Sequence, residues 1–385
     1  WAGVNHDEGV MLDENGNVVQ KGEYGPYKQS ERGEIYRAYA KYLIEQGRAY
    51  PCFATPEELE EMRAKQEAAK LRTGYYGVWA KYRSLSVDEA IEKIKAGEKY
   101  IIRFKSMGNE EKKIRHHDVI KGNIDFPEND QDIVIIKADG LPTYHFAHAV
   151  DDHLMRVTHV IRSDEWVSSI PLHLELFKTL GFKTPKYCHY APILKDEDGK
   201  KRKISKRKDP EAAVSYYHEQ GIPSQAVCEY LMNIGNSSFE LWRKANPDAS
   251  ISEFKFEISK MSGSGAVFDM VKLLDVSKNV ISKYSKERVF EEVSEWAKRY
   301  DEELAKLLED KEYSLKIFGI ERGNNKHRKD IAKWSDVKNA IIYMYDEKFL
   351  NNTIDYEYAK ISDETEIKNI INTYIEKYFD INDDK

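Results

Sequence analysis

Residues 141–195 alternate between helical and strand patterns, and this alternation constrains the fold more than any other feature of the sequence. The pattern predicts a helix at about 144–152, a strand His159–Arg162, a helix at about 167–180 and a strand Tyr187–Pro192. Strands that alternate with helices form parallel sheets, because each helix returns the chain to the same edge. We therefore expect an α/β fold with a doubly wound parallel sheet and ligands at the carboxyl ends of its strands.

The region before this segment has a different pattern, with helices first and short strands afterwards. Ser30, Thr55 followed by Pro56, and Ser86 are suited to helix N-termini, and they predict helices at about 30–47, 56–71 and 87–96. Short segments rich in Ile and Val predict strands at Tyr100–Lys105, Lys113–His116, Val119–Phe126 and Asp132–Lys137. Together these elements predict an α+β insertion over about 50–135.

The chain after about residue 238 is predicted to be almost wholly helical. The charged periodic segments Glu287–Leu308, Arg328–Phe349 and Asp363–Phe379 each indicate one helix, and Arg322–Asn325 has the composition of a linker.

Composition indicates a water-soluble protein that works in a reducing compartment. The chain has 385 residues with 41% hydrophobic and 33% charged residues, and no apolar run long enough to span a membrane. Its first residues lack the basic and then apolar pattern of a secretion signal. The three cysteines, Cys52, Cys188 and Cys228, lie far apart, and none belongs to a set with zinc-ligand spacing. We expect a cytoplasmic monomer without zinc.

A basic block at Lys200–Lys208 stands out because the whole chain has a net charge of -7. Seven of its nine residues are cationic, which favours a phosphate-rich ligand or a solvated surface. Asp209 and Pro210 follow and predict an N-capped helix at about 210–219. On this interpretation the block is a loop that leads into a helix N-terminus, where free N–H groups favour anions.

Four segments carry a resemblance to a known family. They are Gly25–Arg32 (GPYKQSER), Leu141–His153 (LPTYHFAHAVDDH), Val160–Trp166 (VIRSDEW) and Lys203–Arg207 (KISKR). In this order they resemble segments of bacterial glutamyl-tRNA synthetases, which are class I aminoacyl-tRNA synthetases. The resemblance covers most of residues 1–280. It implies a Rossmann-like nucleotide-binding fold that activates glutamate with ATP and transfers it to tRNA.

The resemblance assigns ATP binding to the loop Lys203–Arg207. Its residues Lys203, Ile204, Ser205, Lys206 and Arg207 would bind ATP, with Lys203 and Lys206 as the catalytic lysines. Formation of an acyl-adenylate needs no protein nucleophile, and catalysis consists of positioning and of charge stabilisation as pyrophosphate leaves. Ammonium and guanidinium groups on a loop, together with Mg2+ on the phosphates, suit that role.

The resemblance also implies an amino-acid pocket that contains Tyr144, His148, Arg162 and Trp166. Tyr144 and His148 lie four residues apart and share one helix face, and Arg162 lies at the end of a predicted strand. An Arg side chain can bind a carboxylate through two hydrogen bonds, and glutamate has two carboxylates. The commonest family pattern has an amide residue where this chain has His148, which leaves its hydrogen-bonding role open.

Other polar residues in these segments are interpreted as structural. Asp151-Asp152-His153 lacks a further metal ligand at suitable spacing and is expected to cap and to form salt bridges. Asp164-Glu165 is not needed as an acid/base pair. Arg32 is expected to have a structural role or to contact the tRNA acceptor end.

The resemblance divides the chain into five regions. Residues 1–50 would be part of the nucleotide-binding domain, 51–137 the insertion that binds the acceptor end, and 138–235 the second catalytic half. Residues 236–320 would be a helical region that contacts the tRNA stem, and 321–385 the start of a helical anticodon-binding domain.

The family's other ATP motif, His-x-Gly-His, is absent from the sequence. We expect the chain to be truncated at its N-terminus and at its C-terminus, and to be impaired in adenylate formation. A glutamine-specific enzyme of the same subclass is one alternative, although Arg162 favours glutamate. A non-catalytic tRNA-binding module is another. A short paralogue that modifies a tRNA base would end soon after the basic block, whereas about 150 helical residues follow here.

Overall fold

The computed structural model describes residues 1–323, 328–350, 361 and 363–380. The chain divides into two compact units, Trp1–Ser277 and Lys278–Lys385. This division lies inside the predicted region 236–320, and the other domain boundaries stay predictions.

Helices occur throughout both units. They are α1 (Gly33–Glu45), α2 (Pro56–Ala68), α3 (Val87–Lys95), α4 (Tyr144–Leu154), α5 (Ile170–Thr179), α6 (Val214–Gln220), α7 (Ser224–Gly235), α8 (Phe239–Ala245), α9 (Met270–Ser282), α10 (Lys286–Tyr300), α11 (Glu302–Leu307), α12 (Lys311–Gly319), α13 (Val337–Ile341), α14 (Asp346–Leu350) and α15 (Glu364–Lys377). No helix among the described residues has both the length and the apolar character that a membrane span requires.

The described strands lie in the first unit. They are β1 (Gly9–Leu12), β2 (Val18–Lys21), β3 (Ala49–Cys52), β4 (Ile101–Phe104), β5 (Lys113–Asp118), β6 (Gly122–Pro127), β7 (Val134–Ile136), β8 (His159–Ser163), β9 (Lys186–Tyr190), β10 (Leu194–Glu197) and β11 (Lys200–Lys203). Strands β8 and β9 pair in parallel, whereas β3-β4-β7 and the hairpins β1-β2, β5-β6 and β10-β11 are antiparallel.

The core of the first unit joins the antiparallel sheet to three helices. Tyr36 of α1, Phe104 of β4, Ile135 of β7, Phe146 of α4 and Phe177 of α5 belong to one buried cluster, and each is fully shielded from solvent. Burial of each such side chain contributes roughly 1.5–3 kcal/mol. The predicted insertion and the predicted catalytic half therefore share a core, which fixes α4 and α5 relative to the sheet.

Several elements confirm the sequence-based expectations. Thr55 and Ser86 each cap a helix with a complete capping box, in which the cap side chain and a glutamate three residues later bond each other's backbone N–H groups. Helices α2, α3, α4 and α15 and strands β4 to β9 lie where the sequence predicts them, within a few residues.

The predicted helix at 30–47 begins later, at Gly33. Ser30 lies in a 3-10 turn, Gln29–Glu31, and Arg32 occupies the N-cap position without a side-chain capping bond. Arg32 is only 1% exposed, because its guanidinium points inward to Asp151 of α4. This tertiary ion pair sets the start of the helix in place of a local serine cap.

Two of the three predicted long helices, 287–308 and 328–349, are broken, whereas 363–379 contains the single helix α15. Asp301 interrupts the segment 287–308, because its side chain accepts from the Leu304 backbone N–H and starts α11. The segment 328–349 contains a 3-10 turn, Trp334–Asp336, and only short helices, and this bending buries Trp334 and Ile341. Of the predicted linker Arg322–Asn325, the last two residues lie outside the described part of the chain.

Candidate functional site

The parallel strand pair places Arg162 beside His189. The two residues are register partners in the β8–β9 ladder, as are Val160 and Tyr187. Side chains alternate between the faces of a strand, so Arg162, Tyr187 and His189 share one face. Helices α4 and α5 pack together in the first unit and bring Tyr144 and His173 to the same Arg162 side chain. We call Tyr144, Arg162, Trp166, His173, Tyr187 and His189 the arginine site.

Among the described residues, the hydrogen-bond partners of the Arg162 guanidinium are all uncharged. Its Nε donates to His189 Nε2 at 3.0 Å, Nη2 donates to His173 Nδ1 at 3.2 Å, and Nη1 lies 3.4 Å from Tyr144 Oη. Arg162 is 9% exposed, and no carboxylate among the described residues forms an ion pair with it. A buried cation normally has an anionic partner, so this arrangement is suited to an anionic ligand.

The proton positions in the arginine site follow from Arg162, because a guanidinium can only donate. His173 Nδ1 must accept from Arg162, so its Nε2–H donates to His145 Nδ1 at 2.9 Å. Burial lowers the pKa of His173 below its ordinary value of 6.5, and the neighbouring His148 and Arg162 lower it further. Burial also lowers the pKa of His145 and of His189. These histidines are therefore neutral at physiological pH, and they add no positive charge.

Aromatic rings form the walls of the arginine site. The ring centroids of Tyr144 and Trp166 are 4.4 Å apart, and the Arg162 guanidinium carbon lies 4.9 Å from the Tyr187 centroid. Tyr144 is 46% exposed, so the site is open on this side. The structure thus brings three predicted pocket residues, Tyr144, Arg162 and Trp166, into one site.

The fourth predicted pocket residue, His148, lies behind this wall. It is 8% exposed, and both ring nitrogens have protein partners: Nδ1 is 3.0 Å from Asp152 Oδ2, and Nε2 is 2.9 Å from Tyr187 Oη. In the neutral form His148 donates to Asp152 and accepts from the Tyr187 hydroxyl. These bonds orient Tyr187 under Arg162, while His148 has no nitrogen left for a ligand.

The run Asp151-Asp152-His153 is structural, as the sequence predicts. Asp151 accepts from Arg32 Nε at 2.9 Å and from the Tyr36 hydroxyl at 2.7 Å, which ties α1 to α4. Asp152 holds His148, and His153 stacks on Phe182 with the ring centroids 3.7 Å apart.

The basic block is not a loop along its whole length. Lys200–Lys203 forms strand β11 and pairs with β10, and only the residues after Lys203 turn. The Lys208 and Asp209 backbone N–H groups donate to the Ser205 carbonyl at 3.0 and 2.8 Å, which closes that turn.

The prediction that Asp209 caps a helix at about 210–219 is wrong. Pro210–Ala212 is a single 3-10 turn, and the α-helix starts only at Val214. Asp209 is 1% exposed, and its carboxylate accepts from both terminal nitrogens of Arg202 at 2.6 and 2.7 Å and from the Ser205 N–H. The Arg202 hydrogen bonds hold the pKa of Asp209 well below its ordinary value. Because these partners use its oxygens, Asp209 fixes the loop Lys203–Arg207. A 3-10 turn separates this loop from the next α-helix, so the loop does not lead directly into a helix N-terminus.

The loop Lys203–Arg207 exposes its cations beside the arginine site. Lys203 Nζ is 2.7 Å from Glu165 Oε2, next to Trp166, and both side chains are about half exposed. Such an exposed ion pair is weak, so a phosphate can replace it at little cost. Lys206 and Arg207 are exposed, with no ion pair to a carboxylate among the described residues.

Two other features carry no candidate site. In the described part of the chain, no group of three or more His, Cys, Asp or Glu side chains is arranged to hold a metal ion, and the predicted absence of zinc stays a prediction. A cavity of about 530 Å³ is lined by Tyr42, Arg48 and Glu175 among others, but by none of the predicted site residues. Glu175 already accepts from Arg48 and Ser106.

Comparison with known proteins agrees with this fold. Residues 10–275 match the family model of the tRNA synthetases class I (E and Q), catalytic domain. This match covers more than half of the chain, so the chain belongs to the class I tRNA synthetases.

Within that family the chain is similar to glutamate--tRNA ligases. One from Clostridium perfringens (strain 13 / Type A) is 55% identical over 385 residues, which are 100% of this chain and 70% of that protein. One from Clostridium beijerinckii is 51% identical over 382 residues, covering 98% of this chain and 68% of the relative. The crystal structure of a glutamate tRNA ligase from Elizabethkingia meningosepticum CCUG26117 in complex with its amino acid has a TM-score of 0.71 and 28% identity, over 92% of this chain and 72% of that chain.

Sequence reasoning missed five residues around Arg162. They are Asp118, His145, His173, Tyr187 and His189. One signal was available, because a parallel ladder between the two predicted strands places Tyr187 and His189 on the face of Arg162. The contacts from α5 and β5 depend on packing between distant segments, and no local pattern reports them.

Proposed function

We propose that this chain acts as a glutamate–tRNA ligase, in which Arg162 binds a carboxylate of glutamate and the loop Lys203–Arg207 binds the phosphates of ATP. The relatives that match 98–100% of the chain support the reaction. One observation carries the assignment of the amino-acid site: Arg162 is buried among neutral side chains. A carboxylate would neutralise this charge and form two parallel hydrogen bonds with the guanidinium.

The proposed residue roles follow the geometry. Arg162 binds the carboxylate, Tyr144 and Trp166 form the open wall of the pocket, and His148 orients Tyr187 from behind. Glutamine lacks the side-chain carboxylate, so the Arg162 charge favours glutamate over glutamine. We propose that this difference, rather than shape, separates the two amino acids.

The loop Lys203–Arg207 would bind the triphosphate of ATP. Lys203 and Lys206 are the catalytic lysines in this proposal, because their charges oppose the negative charge that develops as pyrophosphate leaves. Ile204, Ser205 and Arg207 complete the ATP-binding loop, and Asp209 holds its shape through Arg202. Class I enzymes use ATP, generally with Mg2+, and we propose that the ion binds with the phosphates.

The remaining parts of the proposal concern tRNA and location. Residues 51–137 would bind the acceptor end, 236–320 the tRNA stem and 321–385 the anticodon side. We further propose a cytoplasmic monomer. The free thiols of Cys52, Cys188 and Cys228 fit a reducing compartment.

Binding of glutamate tests the amino-acid site, since it does not depend on whether this chain completes the reaction. Calorimetric titration should show tighter binding of glutamate than of glutamine. Arg162→Lys should raise the Kd for glutamate by about ten- to a hundredfold, because a lysine cannot reproduce hydrogen bonds worth about 1.5–3 kcal/mol. Arg103→Lys is the control, because Arg103 is also buried but lies over Tyr75, away from the site. Equal affinities in wild type and Arg162→Lys would refute the assignment.

Binding of an ATP analogue tests the proposed role of the loop Lys203–Arg207. Lys206→Ala should weaken binding of a non-hydrolysable ATP analogue, whereas Lys201→Ala, on the exposed strand β11 of the same basic block, should not. A non-catalytic tRNA-binding module predicts another outcome: no binding of ATP or glutamate, and only weaker RNA binding in Lys206→Ala.

A further inference from the structure

Three side chains form a hydrogen-bonded chain that ends at Arg162. Asp118 is the last residue of β5, and its Oδ2 lies 2.6 Å from Nδ1 of His189. On the other side of the ring, His189 Nε2 accepts from Arg162 Nε at 3.0 Å. Asp118 and His189 are completely buried. Asp118 lies in the predicted insertion 51–137, whereas Arg162 and His189 lie in the predicted catalytic half. The comparisons and the resemblance assign no role to Asp118.

We propose that Asp118 is a positioning residue for Arg162, acting through His189. The inference deepens the proposed function and rests on Arg162 as the residue that binds glutamate.

The direction of the hydrogen bonds supports this role. Arg162 can only donate, so His189 Nε2 must be unprotonated, and His189 Nδ1 must carry the proton that it donates to Asp118. Burial lowers the pKa of His189, and this keeps the ring neutral. With the proton on Nε2 instead, two N–H groups would face each other, and Arg162 would lose its bond. Asp118 therefore selects the one tautomer that can hold the guanidinium.

The Asp118 carboxylate is itself fixed in place. Its Oδ1 accepts from the Ile120 and Lys121 backbone N–H groups at 3.0 Å, and both oxygens accept from the His189 N–H at 3.2 Å. Burial alone would raise the pKa of Asp118, but these hydrogen bonds and that of the His189 ring hold it below its ordinary value. The carboxylate is therefore ionised and cannot rotate away from His189.

Fixing the Arg162 guanidinium leaves a defined set of its N–H donors available to bind a ligand. A guanidinium has five N–H groups, of which Nε–H serves His189, one on Nη2 serves His173 and one on Nη1 faces Tyr144. One N–H on each terminal nitrogen remains for a ligand. Bidentate binding needs both in one plane at a fixed orientation, so release of Nε would weaken carboxylate binding while the charge stays.

Asp118→Asn isolates this role. Asn has one oxygen, and the Ile120 and Lys121 N–H groups require it, so its NH2 group would face His189 Nδ1. The ring would then take the opposite tautomer, with the proton on Nε2 toward Arg162. We expect the Kd for glutamate to rise about tenfold or more, as when a tautomer-fixing carboxylate is replaced elsewhere, and the Kd for an ATP analogue to stay within about twofold.

The matched control is Asp125→Asn. Asp125 lies on the same hairpin and pairs with Arg115, but this ion pair is exposed and distant from His189. His189→Gln is the conservative variant, because its amide can still accept from Arg162 and donate to Asp118, whereas His189→Ala can do neither. His189→Gln should therefore retain more glutamate affinity than His189→Ala.

Nitrogen-15 NMR of the histidine rings reads the tautomer directly, without any ligand. The inference expects Nδ1–H in His189 of the wild-type chain and Nε2–H in Asp118→Asn. Nε2–H in the wild type, or unchanged glutamate affinity in Asp118→Asn beside normal wild-type binding, would overturn the inference alone. Absence of glutamate binding by the wild type would refute the proposed function and this inference with it.

Discussion

Replacing His173 by Gln should reduce the pH dependence of stability in the acidic range. His173 is completely buried between Arg162 and His145, and burial, with a smaller effect from His148 and Arg162, keeps its pKa well below 6.5 in the folded protein. In the unfolded chain the same ring takes up a proton near its ordinary pKa. The unfolded state therefore binds more protons below pH 6.5, and the free energy of unfolding falls as the pH falls.

The size of this effect follows from the proton count. Between about pH 7.5 and about pH 5.5, one histidine that stays neutral in the folded state and titrates at 6.5 in the unfolded state lowers the free energy of unfolding by about 1.4 kcal/mol. His173→Gln removes this contribution and keeps groups that can accept from Arg162 and donate to His145. The loss of stability over this pH interval should thus be about 1.4 kcal/mol smaller than in the wild type.

Urea unfolding at both pH values measures this difference. The readout is the change in the free energy of unfolding between the two pH values. A loss of stability that is equal at both pH values does not affect this change. His117→Gln serves as the control, since His117 is an exposed histidine on β5, and this variant should retain the wild-type difference. The same difference in His173→Gln and in the wild type would mean that His173 is not held neutral, and the reasoning about the partners of Arg162 would fail.

Two further substitutions test the supports of the site. Asp151→Asn removes the ion partner of the buried Arg32 and should lower the free energy of unfolding by about 3–5 kcal/mol. Asp139→Asn, at an exposed ion pair, is the control and should not cause such a loss. A loss below about 1 kcal/mol for Asp151→Asn in urea unfolding would contradict this expectation. Lys203→Ala breaks only the exposed ion pair with Glu165, so stability should change by less than about 1 kcal/mol while ATP-analogue affinity falls in calorimetry. A large loss of stability with unchanged ATP affinity would make Lys203 a structural residue.

Much of the fold could be predicted from local sequence patterns. The alternation over 141–195 predicted α4, β8, α5 and β9, and the position of Arg162 near a strand end followed from it. Thr55 and Ser86 were correct as caps because the partners of a capping box lie within three residues of each other. Where the decisive contacts join residues that are close together in the sequence, the local pattern is sufficient to predict the element.

The sequence-based predictions of helix caps are wrong where a residue distant in the sequence bonds a group that the local pattern assigns to the cap. Asp209 before Pro210 has the local pattern of an N-cap, but Arg202 on the neighbouring strand takes its carboxylate. Ser30 could have capped α1, but the Arg32–Asp151 ion pair, which joins residues 119 positions apart, sets the helix start instead. A single sequence does not show these pairs, because they depend on tertiary packing.

In the arginine site, too, some residues could be predicted from local patterns and others depend on tertiary contacts. Arg162, Tyr144 and Trp166 could be predicted from the sequence, because they lie in segments with a recognisable pattern. The neutral histidines and Asp118 give Arg162 its particular chemistry, and they come from β9, α5 and β5. The resemblance assigns His148 to the pocket and leaves its hydrogen bonds open. The structure gives both its ring nitrogens protein partners, Asp152 and Tyr187, and its place in the pocket stays a prediction.

A crystal structure of this chain with bound L-glutamate would show whether Arg162 binds the amino acid. We expect a glutamate carboxylate within hydrogen-bonding distance of both terminal nitrogens of Arg162, beside Tyr144 and Trp166, with the bond from Arg162 Nε to His189 retained. Glutamate bound elsewhere, or bound in this pocket without contact to the Arg162 guanidinium, would contradict it.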